Sequence, residues 1–356
     1  MINNLSDLLP AVGGNFGIGS HASWPYAPAD RVIVVLIDGL GFHNILSQSN
    51  PLESGFQGFQ PMASAIPSTT PVSLTALGTG LNSGANGVLG ATFWLPEFDQ
   101  ILRPLHWESY PNPIAVQPET TWFEKIARTT NVYRIGPAKY AESGLTQAAL
   151  RGGTHVAAES LSEMIASIRS ILDSTSEGFV YAYYPDLDKI GHVHGVNSDA
   201  WVSEYQNVMT ALEMLAAHLP PATQLLITAD HGMVDVVERI WIEDHKSAMN
   251  DVLRITGEPR FRHVFAKSGR SKQLLDRWLA FNEYAEIFSR EEAIENGLFG
   301  NVDEDFHERI GDVVAVAKSG YILASSSVDK RVSELVGHHG GTSEVESTIP
   351  LIEMAG

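Results

Sequence analysis

The chain contains no cysteine. That absence excludes disulfides, thiolate zinc sites, iron–sulfur clusters and cysteine nucleophiles together. Any metal must then be held by histidine and carboxylate, a donor set that suits zinc or manganese. Long apolar runs are also missing: none reaches the roughly 18 residues that cross a bilayer. The opening MINNLSDLLPAVGG lacks the basic residues and the apolar length of a secretory signal. The expectation is a cytoplasmic protein with no membrane partner. Positive charge is scarce, with 23 Lys and Arg against 42 Asp and Glu and a formal net charge of -19. Such a surface repels nucleic-acid backbone, so no nucleic-acid polymer is expected as a partner. An anionic small molecule would need local cations at its site. Metal ions would supply them, with part of the acidic excess as their ligands.

What is present is ordinary globular composition, 44% hydrophobic and 18% charged over 356 residues. That is enough chain to bury a full core. No fixed-period repeat or low-complexity tract occurs. Residues 1–30, rich in Gly, Pro and Ala, are expected to form an N-terminal arm over a single catalytic domain spanning 31–356. Three apolar, β-branched runs read as central strands buried on both faces: Arg31–Asp38, Gly178–Tyr184 and Gln224–Thr228. Shorter candidates are Asn131–Ile135, Arg262–Ala266 and Asp312–Ala317. Amphipathic stretches at Leu161–Leu172, Trp201–Ala217 and Lys272–Phe281 separate strands as helices. Strands alternating with helices predict a doubly wound α/β sheet, which binds ligands beyond the carboxyl ends of its strands.

Three of those strand candidates run straight into acidic residues, and two further motifs lie elsewhere. The first run closes on Asp38-Gly-Leu-Gly41, which reads as a metal ligand, a phosphate loop or a plain turn; the GxxxxGK[ST] pattern is absent. The run at 224–228 leads into Ala229-Asp230-His231-Gly232, either two adjacent ligands or a turn. After Tyr184 comes Pro185-Asp186-Leu-Asp188-Lys-Ile-Gly-His192-Val-His194. Asp188 and His192 are spaced i, i+4, so one helical turn puts both on one face, as metal ligands require. Asp186 and His194 compete for the same roles. Gly337-His338-His339-Gly340-Gly341 is a histidine pair on a flexible loop, a ligand source or an exposed turn. In Ile66-Pro-Ser-Thr69-Thr70-Pro71, hydroxyl residues precede a proline and a helical stretch. That is N-cap chemistry. It is also a place where a helix terminus and a metal could make a threonine nucleophilic.

Asp38, Thr70, Asp188, His192, Asp230, His231 and His339 occur in an order and spacing that resemble one known pattern. The chain, from about residue 31 to about residue 345, is similar to the type I phosphodiesterase/nucleotide pyrophosphatase family of the alkaline phosphatase superfamily. The resemblance implies an alkaline-phosphatase-like doubly wound, mostly parallel central sheet with helices on both faces, and two divalent metal ions. Asp188, His192 and His339 match the ligands of one ion, which in the family activates water and binds a phosphoryl oxygen. Asp38, Asp230 and His231 match those of the second, with Thr70 bound to it as nucleophile. A small phosphate ester, with nucleotides among the candidates, would be cleaved through a phospho-threonine intermediate.

Two departures stand out. Thr69 and Thr70 both precede Pro71; ungapped alignment from Pro67 through Gly80 selects Thr70, with Thr69 as the fallback. Diester-cleaving relatives carry an Asn further along that helps hold the phosphoryl group, where this chain has Ala91; Asn86 is close but out of register. Phosphomonoester or phosphonate hydrolysis is therefore the nearest rival. A sulfatase needs a Cys-based motif or Ser-x-Pro-x-Arg, and neither is present. An oxidoreductase of the Rossmann type needs GxGxxG, also absent. A non-catalytic metal-binding descendant should have lost a ligand, and all seven positions hold competent residues. Phe93, Trp94 and Trp107 could line a substrate wall or simply pack.

Overall fold

The computed structural model describes residues 2–19, 23–48 and 58–356. In chain order it begins with helix α1 (Leu5–Asn15), strand β1 (Arg31–Ile37), β2 (Gly58–Ala63) and α2 (Thr70–Thr79). Next come β3 (Val132–Gly136), β4 (Thr154–Ala157), α3 (Leu161–Ser174), β5 (Gly178–Tyr184), α4 (Asp186–His194), α5 (Asp199–Ala216) and β6 (Thr223–Thr228). The chain then leaves to build a second sheet from β7 (Val252–Glu258), β8 (Phe261–Ala266), β9 (Ala285–Ser289) and β10 (Val313–Ala317), with helix α6 (Ser271–Trp278) against it. It returns for β11 (Thr348–Ala355).

Seven strands form the central sheet in the order β2-β11-β6-β1-β5-β3-β4. β4, β3, β5, β1 and β6 run parallel, and β11 is antiparallel to both β6 and β2. β1 is buried from Val32 to Ile37 because helices cover both faces, which is why its sequence is apolar without alternation. α3 and α5 turn Ile165, Ile168, Leu172, Trp201, Val208 and Leu212 into the same core. The fold is the mostly parallel, helix-flanked α/β architecture that the sequence reading anticipates.

The helices Leu161–Leu172, Trp201–Ala217 and Lys272–Phe281 appear within two residues of their expected ends, the last finishing in a 3₁₀ turn at Leu279–Phe281. Two strand candidates have a different home. Arg262–Ala266 and Asp312–Ala317 lie in the second sheet, β7-β8-β10-β9, which is antiparallel throughout. The first thirty residues carry an ordered helix: Leu5, Leu8, Leu9 and Val12 of α1 lie fully or almost fully inside the main core, with α1 against α2.

Candidate active site and metal centre

Three neighbouring strands set up the site. β6, β1 and β5 lie side by side and parallel, so their carboxyl ends open on the same edge of the sheet. β6 runs into Asp230 and His231, β1 into Asp38, and β5 into α4, which carries Asp188 and His192 on successive turns. Thr70 is the first residue of α2, with Thr69 as N-cap and Pro71 behind it. His339 arrives on the loop after the two-residue strand Gly337–His338, which pairs with Val234–Asp235. Segments far apart in sequence thus converge because parallel strands share polarity.

All seven expected residues meet there. The His231 Nε2 lies 3.1 Å from Thr70 Oγ1 and 3.4 Å from both Asp38 Oδ1 and Asp230 Oδ2. The His192 Nε2 is 3.4 Å from Asp188 Oδ2, and His339 Nε2 is 3.9 Å from Asp188 Oδ1. The His231 and His339 rings stack with centroids 3.6 Å apart. Two groups of donor atoms fall within 4.8 Å of one another: Asp188, His192 and His339, and Asp38, Asp188 and His231. Asp188 therefore stands near both groups, where the sequence reading gave it to one. The other candidates go elsewhere: Asp186 pairs with Lys189 at the surface, and His194 is exposed.

The backbone fixes how the imidazoles present themselves. Nδ1 of His192 faces the Gly337 carbonyl at 2.8 Å, that of His339 the Ser68 carbonyl at 3.0 Å, and that of His231 the Gly232 carbonyl at 3.3 Å. A carbonyl only accepts, so each Nδ1 carries the hydrogen and each Nε2 points a lone pair inward. The carboxylates are equally prepared. Asp38 Oδ1, Asp188 Oδ1 and Asp230 Oδ2 are buried and have no hydrogen-bond partner among the described residues. Gly39, at a φ of +75°, makes the turn after Asp38, and its N–H donates to Asp230 Oδ1 at 3.2 Å. A Cβ there would come within 3.1 Å of Asp188 Cα.

The electrostatics match an arrangement built for cations. Burial raises the Asp38 pKa well above the carboxylate range, and the charges of Asp230 and Asp188 add to it. Burial raises Asp230 too, with His231 opposing. His339 is held well below the imidazole range by burial and by its neighbours His231 and His192. Buried carboxylates facing inward-turned imidazole Nε2 atoms, with no Lys or Arg among the seven, fit hard or borderline divalent ions.

The cleft over this cluster measures about 260 Å³, and its wall includes Thr69, Thr70, Ala91, Tyr183, Lys189 and Glu258. Sequence reasoning passed over two of these. Tyr183 donates its phenol hydrogen to Asp38 Oδ2. Glu258, at the end of β7, accepts the Ala91 N–H at 2.7 Å and leaves Oε1 unpartnered; burial pushes its acid up to about 8. An aromatic inside an apolar strand carries no spacing signal. An acid ending a strand of another sheet carries only a weak one. Asn86 does not reach the cleft, because its side chain serves Leu81 and Val88. Phe93 is fully buried in a core with Leu102, Trp107 donates to the Pro111 carbonyl, and Trp94 lies under the Arg254 guanidinium. These aromatics pack.

The sequence matches the model of the type I phosphodiesterase / nucleotide pyrophosphatase family over residues 32–342. No curated protein matches it. Among solved structures, murine ectonucleotide pyrophosphatase/phosphodiesterase 5 superposes with a TM-score of 0.73 at 17% identity, covering 90% of this chain and 87% of that one. An inactive threonine-to-alanine form of that murine protein, in complex with AMP, matches at 0.73, 18% identity and the same coverage. Phosphonoacetate hydrolase from Sinorhizobium meliloti, in complex with phosphonoformate, has a TM-score of 0.69 at 18% identity, covering 93% of this chain and 90% of that one. At such identities the likeness speaks for the fold, while the family model speaks for descent. The chain belongs to the type I phosphodiesterase/nucleotide pyrophosphatase family, and it is a phosphoric ester hydrolase.

Proposed function

We propose that the protein is a two-metal phosphodiesterase of the nucleotide pyrophosphatase type that cleaves small phosphate esters through a phospho-threonine at Thr70. Asp188, His192 and His339 would hold one ion, and Asp38, Asp230 and His231 the other, zinc and manganese both suiting these donors. The observation that carries this reading is the joint orientation of the donors. Three imidazoles have Nδ1 tied to carbonyls and Nε2 turned inward, and three buried carboxylate oxygens lack any partner. When bound, the two ions would lower the pKa of an attacking hydroxyl and offset phosphoryl charge.

The chain's own residues supply the rest. Thr70 is 6% exposed, so its hydroxyl is shielded from bulk water while it faces the cluster. It opens α2, whose free N–H groups favour the negative charge of a phosphoryl group. Attack by Thr70 Oγ1 forms the bond to phosphorus as the bond to the leaving oxygen breaks. Water then attacks the same phosphorus from the vacated side and releases Thr70. The inactive threonine-to-alanine form of the murine relative supports a threonine in that role.

A second reading, directed at monoesters or phosphonates, is favoured by Ala91. It lines the cleft where diester-cleaving relatives carry Asn, and its N–H is already committed to Glu258. Hydrolysis of bis-p-nitrophenyl phosphate against p-nitrophenyl phosphate, by zinc- and manganese-loaded protein, separates the two. We expect the diester to be preferred, with turnover lost in Thr70→Ala while metal binding persists. Near-normal activity of that variant would remove Thr70 from the mechanism. A monoester preference would keep the site and replace the substrate class.

A further inference from the structure

Arg134 lies in the interior of β3 and is only 8% exposed, yet its Nε is buried without a partner and its side chain has no hydrogen bond or salt bridge to any described residue. Burying part of a guanidinium without a partner is costly, so a buried Arg side chain is ordinarily paired. Its neighbours in the sheet repeat the pattern. Arg134 is the direct partner of His155 on β4 and of Tyr181 on β5. The three side chains therefore form a polar row on one face of the sheet, crossing three strands. The His155 Nε2 and the Tyr181 hydroxyl are buried and have no hydrogen-bond partner among the described residues.

All three groups line one cavity of about 70 Å³, walled elsewhere by apolar residues such as Leu74, Ile135 and Leu145. At roughly 10–15 Å³ for each water-sized probe, that space holds a group of a few heavy atoms and excludes a nucleoside. Thr70, Leu105, Tyr140 and Tyr183 border both this cavity and the metal-centre cleft, so the two spaces adjoin at the nucleophile. Exposed Glu142 acts on Arg134 only through space.

We propose that this cavity is a subsite for a compact second oxyanion of the substrate, a carboxylate or further phosphoryl group close to the scissile phosphorus. Arg134 is its principal anchor, with His155 and Tyr181 as additional donors. Guanidinium matches the planar two-oxygen edge of such groups better than any other side chain. The inference rests on the phosphoryl-transfer reading of Thr70, and it narrows the substrate class to esters or phosphonates that carry a short acidic arm.

Calorimetric titration of zinc-loaded protein with ethyl phosphate and with phosphoglycolate compares ligands that share a phosphoryl head and differ by one carboxylate. We expect phosphoglycolate to bind at least tenfold tighter to wild type, the ratio to fall towards one in Arg134→Met, and Arg134→Lys to recover part of it. Equal affinities in wild type, or a ratio that survives in Arg134→Met, would overturn the subsite. Methylene bisphosphonate in the same titrations tells a phosphoryl arm from a carboxylate arm. Thermal denaturation of chelated protein gives a metal-independent check. Malonate should raise the Tm of wild type and not of Arg134→Met, and the variant without ligand should be at least as stable as wild type. A large loss of stability in Arg134→Met would assign the guanidinium to structure instead. Failure of every ester to turn over would remove the hydrolase reading. A working hydrolase that binds both phosphates equally would remove only the subsite.

Discussion

Two buried sets of charge in this protein are treated in opposite ways. Where the antiparallel sheet meets the rest of the chain, Arg260 and Arg262 are buried to 1% exposure or less, and each is fully engaged. Arg260 grips Glu346 through two bonds of 2.9 and 2.5 Å, and Arg262 holds Asp329 through two of 2.6 and 2.9 Å. At the carboxyl edge of the central sheet, Asp38, Asp188 and Asp230 each keep a buried oxygen without a partner, and the Arg134 Nε is buried without one deeper in the same sheet. The chain is thus able to pair buried charges where they serve architecture. Unpaired ones gathered around one cleft point to a place where a ligand completes the structure, since perturbed ionisable groups gather at such places.

The two sets should answer substitution with opposite signs. Asp38→Asn should reduce turnover by more than the roughly 10–100-fold that loss of a supporting group costs, through loss of metal. Yet it should leave the chelated protein as stable as wild type or more so, since burial, and after it the charges of Asp230 and Asp188, disfavours a carboxylate there. Arg262→Met should do the reverse. Stripping Asp329 of its partner should cost on the order of 3 kcal/mol, with little change in metal affinity. Denaturant melts and metal titrations of both variants check this. A destabilised Asp38→Asn together with an unaffected Arg262→Met would dissolve the distinction.

The unpaired set was partly legible in the sequence. The seven clustered residues stand in recognisable motifs at strand ends, a helix start and a glycine-flanked loop, because holding a metal would need several donors at fixed spacing. Tyr183, Glu258 and Arg134 were not legible, since each is a single residue whose role comes from a neighbouring strand. The fold divides in the same manner. β1 and β5 announce themselves as unbroken apolar runs. β2 and β11 each carry a proline, Pro61 and Pro350, which argues against a strand when only local pattern is available. α1 is obscured by Pro10 and by Gly-rich surroundings. Strands β8 and β10 are evident as strands, but apolar content does not say which sheet they join or in which direction.

pH offers a finer comparison. Glu258, beside the cleft, has its acid raised by burial from 4.5 to about 8. The folded state then binds this proton more tightly than the unfolded one. Stability from Glu258 is full below about 4.5 and is lost as pH climbs towards 8. His263, in the second sheet, is lowered by burial from 6.5 to about 4. It is locked neutral, with its rings of contact to the Leu89 carbonyl and the Gly311 N–H at 3.1 and 3.2 Å. Its contribution is full above 6.5 and is lost as pH falls towards 4. Each slope is at most about 1.4 kcal/mol per pH unit. Tm measured across this range on chelated protein should lose its alkaline-side decline in Glu258→Gln and keep its acid-side decline. Parallel profiles for variant and wild type would mean that Glu258 ionises in the ordinary carboxylate range.

The smallest expected effect tests how far the partnerless state of the candidate metal centre is itself supported by a partner. Tyr183 donates to Asp38 Oδ2, and that bond lowers the Asp38 pKa against the burial and the two neighbouring charges that raise it. Tyr183→Phe removes the donor and little volume. Asp38 should then take up a proton more readily, so protons should compete with metal at higher pH than in wild type. We expect metal affinity near neutral pH to fall roughly tenfold, the lower end of what loss of a supporting group costs. The acid limb of the activity profile should move upward, and turnover should recover at higher pH or with excess zinc. A hydroxyl that only packs would lower activity equally at every pH, and excess metal would not restore it. In that event Asp38 would owe its readiness for metal to burial and backbone geometry alone.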